Sequence, residues 1–456
     1  MRNLWTSPTP LAVTCGRGIA PYLKQELEAM GYEILGVKDT MVGIQATNAC
    51  RDIFRLNLHL RTAQRVLWPF VQSSNCRDLM DLYHLGVDAP WEQILDPDKP
   101  FFITNATKNE TIFDSRMPTL KLKDAIVDRI RERCSRRPNI SREDDAAAVF
   151  LHWEGEHAKI YIDTTGNTLS RRGYRKEGWL APMQESLAAA CIMASGWDCK
   201  RPFIVPFCGS GTPAIEAALM ARHIAPGKFH NAFAFMQLKG WTNIIPGETA
   251  GESVRKRFGA APQEIWKNMV VQARAAELPA DDPSLPLILG VDVADGAVVI
   301  SIKNAETAGV DKNIKFFAED FTDTPLPQQT GIIFMNPPYG ERLEDDVTLE
   351  PLYEEIGTWL KNTVPAGWMA WVITASKALS LKINLQTCAI HPFMNGPLDC
   401  RLLGYEVREC ALMEAPAEES VLPETEAESA LTTASETVAE SIPVEETTSE
   451  AEEANV

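Results

Sequence analysis

The sequence predicts an α/β fold for the C-terminal half of the chain, preceded by an α+β region. From residue 202 onward, apolar runs of strand length alternate with stretches of helical pattern. These runs are apolar at successive positions, which favours a parallel sheet covered on both faces. The predicted strands are 203–207, 287–293, 314–320, 331–335 and 368–374. The predicted helices between them are 212–222, 295–308 and 352–363.

Short strands and helices alternate in the region before about residue 164. Strands are predicted at 11–15, 100–104, 147–153 and 158–162. A helix is predicted over 20–30, with Gly31 placed to cap its C-terminus. A polar connector, 163–178, leads to Pro182, which suits the first turn of a further helix.

Length and charge divide the chain further. With 456 residues, 45% of them hydrophobic, the chain is too long for one ordinary domain. The net charge is −18, but residues 414–456 hold 13 Glu and no Asp, Lys or Arg, which leaves −5 on residues 1–413. That segment has no aromatic residue and no sustained apolar period, so we predict a disordered acidic tail.

The cysteine pattern and the N-terminus indicate the compartment. The ten cysteines show no Cys-x-x-Cys spacing and do not cluster with the seven histidines, so neither a metal site nor a disulfide framework is expected. The first residues lack the apolar core of a signal peptide, and no run approaches a membrane span of 18 apolar residues. We therefore expect a cytoplasmic protein that binds no membrane.

Two basic clusters predict a nucleic-acid surface. The first lies between Arg116 and Arg142, where apolar residues at helical spacing predict a helix with one buried stripe and one basic face. The second, 171–176, interleaves Tyr174 with four cations. Either cluster alone could be a solvated surface, but together they predict phosphate contacts with RNA. The candidate RNA-binding residues are Lys121, Lys123, Arg129, Arg133, Arg137, Arg171, Arg172 and Arg175.

A glycine-containing loop follows the first strand of the α/β half and opens directly into a helix. It runs Pro206-Phe207-Cys208-Gly209-Ser210-Gly211-Thr212. The loop lacks the Gly-Lys-Ser/Thr of a phosphate-binding NTPase loop, which argues against ATP hydrolysis. With Ala214 it matches a dinucleotide fingerprint, but Asp292 lies 81 residues beyond Gly211, where that fingerprint expects an acid after about 20.

Two acids at the ends of the next strands complete a candidate cofactor site. Asp292 fits an acceptor for a ribose diol, and Asp320 can accept an adenine amino N–H. Each Asp alone could equally be a helix N-cap. In parallel α/β sheets, ligands bind beyond the carboxyl ends of the strands. The candidate cofactor-binding residues are Pro206, Cys208, Gly209, Ser210, Gly211, Thr212, Asp292 and Asp320, and the predicted cofactor is S-adenosylmethionine.

The run Asn336-Pro337-Pro338-Tyr339 at the end of the fourth strand suits methylation of an exocyclic amine on a nucleobase. Such a nitrogen is a poor nucleophile because its lone pair is delocalised into the ring. The Asn336 side-chain oxygen and the Pro337 carbonyl can each accept one N–H and direct the lone pair toward a methyl donor. Tyr339 offers a face for stacking a flipped base. The alternative is a simple turn that ends the strand.

In this order, these motifs resemble the THUMP-domain class I RNA methyltransferases that modify guanine N2 in large-subunit ribosomal RNA. The resemblance covers about residues 11–407 and also rests on segments 60–67, 123–128, 172–175, 181–190 and 336–343. It implies a Rossmann-like methyltransferase domain with a seven-stranded sheet. The implied organisation is a ferredoxin-like region at 1–45, a THUMP RNA-binding domain at 46–164, a linker at 165–181, the methyltransferase domain at 182–413 and the tail at 414–456.

The chain departs from the family pattern at two places. Val205 stands where such enzymes usually have an acid, and the stretch 240–261 is longer than its counterpart.

We expect a methyltransferase acting on guanine N2 of 23S ribosomal RNA. Adenine N6 in RNA or DNA is the alternative within the same class. A catalytically silent RNA-binding assembly factor and, more remotely, a nicotinamide dehydrogenase are the alternatives from other classes.

Overall fold

The structure is a computed structural model, and it describes residues 5–142, 146–178, 183–241, 262–339 and 343–408. Three expectations from the sequence fall outside these ranges: the acidic tail, the helical start at Pro182, and most of the long stretch 240–261. None of the described helices is both long and apolar enough to cross a membrane.

The N-terminal half is built on a seven-stranded sheet with the strand order β2-β3-β1-β4-β7-β6-β5. Its strands are β1 (Thr9–Thr14), β2 (Glu33–Lys38), β3 (Met41–Ala46), β4 (Arg65–Ser73), β5 (Phe101–Lys108), β6 (Ala147–Glu154) and β7 (His157–Asp163). The helices are α1 (Ala20–Ala29), α2 (Ala49–His59), α3 (Leu79–Asp88) and α4 (Arg116–Cys134). As predicted, Gly31 follows α1 with a positive φ of 85°, and its N–H bonds the carbonyl of Glu28.

Strand β4 makes this sheet continuous. It pairs antiparallel with β1 on one side and with β7 on the other. The predicted boundary between residues 45 and 46 falls within β3, which pairs with β1 over its whole length. The predicted ferredoxin-like and THUMP regions therefore share one sheet.

The C-terminal half is a second seven-stranded sheet with the order β10-β9-β8-β11-β12-β14-β13. Its strands are β8 (Phe203–Pro206), β9 (Ile288–Asp292), β10 (Ile314–Ala318), β11 (Ile332–Met335), β12 (Met369–Thr374), β13 (Thr387–Asn395) and β14 (Leu398–Glu406). The first five are parallel, and β14 runs antiparallel to both β12 and β13. The parallel arrangement predicted for the first five strands is confirmed, and so is the total of seven that the family resemblance implies.

Helices cover this second sheet. They are α5 (Glu185–Ala194), α6 (Thr212–Ala221), α7 (Pro262–Ala275), α8 (Asp295–Ala308), α9 (Leu343–Asn362) and α10 (Lys377–Lys382). Helix α8 has the predicted limits, whereas α9 begins at Leu343 rather than Leu352 and contains Pro351. The order of the strands brings the carboxyl ends of β8, β9, β10 and β11 to one edge, where the candidate residues lie.

The two halves share one hydrophobic core. Phe54 of α2 packs against Phe235, with ring centroids 4.5 Å apart, and its ring also meets Trp241 and Trp266 edge-on. The guanidinium of Arg61 donates to the carbonyl of Ile224 at 2.8 Å. Segment 165–178, predicted as a linker, also packs inward. It buries Thr165, Leu169, Arg172 and Tyr174.

Candidate functional site

The glycine loop leaves β8 through a run of left-handed backbone. Phe207 has φ 59°, Gly209 has φ 55°, and Gly211 has φ 82° as the N-cap of α6. A Cβ at Gly211 would lie 3.0 Å from the side chain of Ser301, so α8 closes that side of the loop. A Cβ at Gly209 would meet no described atom within 4 Å. The loop is therefore backed by α8 and open at Gly209, where a ligand can approach the backbone.

Asp292, at the end of β9, holds the loop in this shape. Its Oδ2 accepts the N–H of Gly209 at 2.9 Å, and its Oδ1 accepts the N–H of Ala294 at 3.0 Å. Each carboxylate oxygen retains a second lone pair. Asp292 is thus beside the loop, as predicted, and its contact with a ribose stays a prediction.

Two buried polar residues of α8 support the loop from behind, and the sequence reasoning missed both. Ser301 donates to the carbonyl of Gly209 at 2.8 Å, and Asn304 donates to the carbonyl of Ser210 at 3.1 Å. Asn304 also bonds the carbonyl of Glu177, so the loop is tied to the segment that precedes α5. Their only signal in the sequence is a pair of polar residues on the buried stripe of a helix.

The contacts of two other candidate cofactor residues, Cys208 and Asp320, are explained within the protein itself. Burial, with the nearby charge of Asp292, raises the pKa of the Cys208 thiol to about 12, so the thiol stays neutral. Asp320 is exposed, and its Oδ1 accepts the N–H and the hydroxyl of Thr322. This is the N-cap arrangement that the sequence left open, and it occupies one of the two carboxylate oxygens.

Asn336 follows β11 directly and carries an acceptor without a donor. Its Oδ1 is buried and has no hydrogen-bond partner among the described residues. Leaving a buried acceptor unpaired costs about 1–3 kcal/mol. Because β11 lies beside β8 in the sheet, this acceptor sits one strand away from the glycine loop. An unsatisfied acceptor in that place suits a donor brought by a ligand.

Hydrogen bonds from two sides fix the rest of the motif. On one side, the hydroxyl of Tyr353 from α9 donates to the carbonyl of Pro338 at 3.3 Å. On the other, Asn395 Nδ2 donates to the hydroxyl oxygen of Tyr339 at 2.8 Å. Burial also raises the pKa of Tyr339, which keeps its phenol neutral. Tyr353 and Asn395 lie 15 and 56 residues from their partners in the motif, and the sequence reasoning did not find them.

The second basic cluster requires a correction, because Arg172 is not a surface residue. It is only 1% exposed, and its Nε lies 3.4 Å from a carboxylate oxygen of Glu216, which is fully buried. Its guanidinium also donates to the carbonyls of Leu169 and Arg61. The prediction that Arg172 contacts RNA is wrong, since a fully packed guanidinium cannot reach a phosphate.

The neighbours of Arg172 line an open cleft of about 940 Å³ between the two halves. Arg171 is exposed there and makes no ion pair with the residues that the structure describes. Arg175 is partly buried and pairs with Glu185 at 3.2 Å. Of the three candidate arginines in this cluster, Arg171 is therefore the one best placed to meet a phosphate.

The basic face of α4 is also partly occupied by protein. Arg129 makes a two-point contact with the Glu92 carboxylate, at 3.1 Å from both Nε and Nη2. Lys123 pairs with Asp124, and the Lys121 ammonium lies 4.8 Å from the centre of the Tyr83 ring. Arg133 and Arg137 are exposed and make no ion pair within the described part of the chain.

Comparison of the sequence with models of protein families identifies the domains that carry these features. Residues 172–403 match the model of the RMKL-like methyltransferase domain. The chain belongs to this methyltransferase family. Residues 10–67 match an RlmL ferredoxin-like domain, and residues 76–163 match a THUMP domain. The resemblance inferred from the sequence is confirmed, as are the ferredoxin-like and THUMP regions that precede a Rossmann-like methyltransferase domain.

The names of individual relatives are consistent with this family. The chain is 32% identical over 400 residues to "Putative RNA methyltransferase slr0064" of Synechocystis, covering 87% of this chain and 97% of that protein. It is 33% identical to "Ribosomal RNA large subunit methyltransferase K/L" of Syntrophotalea carbinolica over 411 residues, 88% of this chain. It spans only 54% of that relative, about half its length.

Among solved structures, the chain is similar to "SMU.472, a putative methyltransferase complexed with SAH". The TM-score is 0.72 at 26% sequence identity, with 89% of this chain and 99% of that chain covered. The likeness extends over both the THUMP-containing half and the methyltransferase domain. The two halves of the present chain are thus arranged as in that putative methyltransferase.

Proposed function

We propose that this protein transfers a methyl group from S-adenosylmethionine to an exocyclic amine of a base in structured RNA, and that its target is guanine N2 of 23S ribosomal RNA. The observation that carries this proposal is the buried Oδ1 of Asn336, which has no hydrogen-bond partner among the described residues and lies one strand away from the glycine loop. The THUMP domain and the names of the K/L relatives support RNA as the substrate and the large ribosomal subunit as its source.

The loop and its neighbours fit S-adenosylmethionine. The open side at Gly209 admits a ligand against the backbone, and Asp292 stands at the next strand end with lone pairs left for ribose hydroxyls. Asp320 has a second carboxylate oxygen that can accept an adenine N–H. S-adenosylmethionine, when bound, supplies an electrophilic methyl group. The protein's own contribution is to hold the amine in line with it.

Asn336 and Pro337 would perform that task. In the proposed complex the Asn336 Oδ1 and the Pro337 carbonyl each accept one N–H of the amine, which draws the nitrogen toward tetrahedral geometry. The lone pair then points at the methyl group. The Pro338 carbonyl is already engaged by Tyr353, so the backbone of the motif is held before the substrate arrives. Tyr339, fixed at its hydroxyl by Asn395, presents its ring to the flipped base.

Nucleoside analysis tests this function directly. A strain lacking the gene is complemented with the wild-type protein, with Asn336→Ala, or with Asn362→Ala, a control at an exposed asparagine of the same domain. We expect N2-methylguanosine in 23S ribosomal RNA to return with the wild type and the control. With purified protein, Asn336→Ala should reduce methyl transfer by about 10²–10³-fold, while S-adenosylmethionine binding stays within about twofold.

The same experiment separates the alternatives. Restoration of N6-methyladenosine in place of N2-methylguanosine would move the target to adenine, since the same acceptors suit either amine. An Asn336→Ala protein with wild-type turnover would remove this residue from the chemistry. RNA binding without any methylation by the wild type would favour a silent assembly factor.

A further inference from the structure

A second cavity, of about 490 Å³, lies at the carboxyl end of β12, next to the Asn336 motif. Register places its walls on one face of the sheet. Thr374 of β12 is directly opposite Arg401 of β14, and Ile390 of β13 is opposite Leu403. Helix α10 supplies the other wall through Lys377. The cavity therefore opens at the edge of the sheet where ligands of such folds bind.

The described lining of this cavity is positively charged. Lys377 and Arg401 are exposed, neither makes an ion pair with a described residue, and no described lining residue is acidic. Lys382, five residues further along the same helix, behaves differently. It lies 2.6 Å from Glu350 and 3.4 Å from Glu354, outside the cavity. Two cations without an ion-pair partner among the described residues, in one cavity, suit an anionic ligand.

The same cavity also exposes large apolar side chains. Leu381 is 70% exposed and Ile390 is 56% exposed, and both line it. Apolar surface beside cations is the combination that holds single-stranded nucleic acid, where bases pack on side chains while the backbone meets positive charge. A free inorganic anion would make no use of the apolar wall.

A hydrogen-bonded tyrosine joins this cavity to the catalytic motif. The hydroxyl of Tyr353 lies 3.3 Å from the Pro338 carbonyl and 3.2 Å from the hydroxyl of Thr374, and Thr374 lines the cavity. Only one buried side chain, that of Tyr353, would therefore lie between a ligand in this cavity and the residues that receive the target base.

We propose that this cavity binds the nucleotide that flanks the target base in the RNA strand, with Lys377 and Arg401 contacting its phosphate and Ile390 and Leu381 its base. The proposal rests on the proposed function, since it assumes an RNA substrate at Asn336. Flipping a base out of a stack leaves its neighbour unstacked. A subsite for that neighbour would hold the strand while the amine is aligned.

The test compares Lys377→Gln combined with Arg401→Gln against Lys382→Gln, which removes the same kind of charge from the same helix outside the cavity. Methylation of a 23S ribosomal RNA fragment and RNA binding at several salt concentrations are both measured. We expect the double variant to lose about tenfold in kcat/KM, mainly through KM, and to flatten the salt slope by about 0.7 for each phosphate that the protein no longer neutralises. S-adenosylmethionine affinity should stay unchanged in both proteins.

The outcomes distinguish the two proposals. A double variant that matches Lys382→Gln in both KM and salt slope overturns the subsite while leaving the proposed function intact. If the wild type methylates no RNA, the proposed function fails, and the salt slope still decides whether these cations contact RNA. Loss of S-adenosylmethionine affinity in the double variant would also overturn the subsite, because the effect would then lie at the cofactor loop.

Discussion

The basic face of α4 and the cluster at residues 171–176 have similar compositions but different surroundings. Arg133 on α4 and Arg137, three residues beyond the end of that helix, are exposed. In the second cluster, Arg172 is 1% exposed and faces Glu216, while Tyr174 is buried and donates its hydroxyl to the same carboxylate at 3.1 Å. One cluster presents exposed cations to solvent, and the other contains part of the joint between the two halves of the chain.

The difference comes from carboxylates that are distant in sequence. Glu216 lies on α6, and Glu26, which accepts the N–H groups of Arg61 and Thr62, lies on α1. A buried carboxylate needs a cation and several donors before it can remain charged. Arg61 and Arg172 supply these at the interface, so their positive charges serve the fold. A run of arginines therefore indicates RNA only where no buried acid meets it.

The largest effect is expected from removing one partner of the buried pair. Arg172→Gln leaves Glu216 as an uncompensated buried charge, which should lower the free energy of unfolding by about 3–5 kcal/mol. Arg171→Gln, at the adjacent exposed position, should change it by no more than about 0.5 kcal/mol. Urea denaturation of both variants measures the difference. Equal stabilities would mean that Arg172 is not part of the joint.

Local patterns in the sequence were sufficient for most of the second sheet and for α8. Continuous apolar runs located the five parallel strands, because burial on both faces leaves no polar alternation. Gly209, Gly211, Asp292 and Asn336 could be found because each follows a strand and has a chemistry of its own.

The supporting residues could not be found in this way. Tyr353, Asn395 and Ser301 act through side-chain hydrogen bonds to residues 15, 56 and 92 positions away in the chain. Their roles depend on how α9, the β13–β14 hairpin and α8 pack, and no local pattern carries that information. The burial of Arg172 was missed for the same reason, since its partner Glu216 lies 44 residues away.

A smaller effect is expected on the α4 surface, in RNA binding rather than stability. Replacing Arg133 and Arg137 by Gln should weaken RNA binding and flatten its salt dependence by about 0.7–0.9 log units for each phosphate left without its cation. Arg129→Gln, on α4 with Arg133, is the matched control, because Glu92 already holds that guanidinium. Filter-binding titrations at several salt concentrations provide the slopes. A larger drop in affinity from Arg129→Gln than from the double variant would contradict the assignment of RNA contacts to Arg133 and Arg137 rather than to Arg129.

The smallest expected effect is on the pH dependence of stability, through protonation of His59 beside the buried joint. His59, the last residue of α2, has its pKa lowered by burial first and then by the charges of Arg55 and Arg61. A lowered pKa means that the unfolded chain binds a proton more readily than the folded protein, so the stability contribution is present above the unfolded pKa of about 6.5 and is lost as the pH falls below it. Between pH 7.5 and pH 5.5, the wild type should therefore lose about 1–3 °C more in Tm than His59→Gln does. His157→Gln, at an exposed position of β7, should follow the wild type. Parallel Tm curves for wild type and His59→Gln would show that folding does not lower the pKa of this histidine.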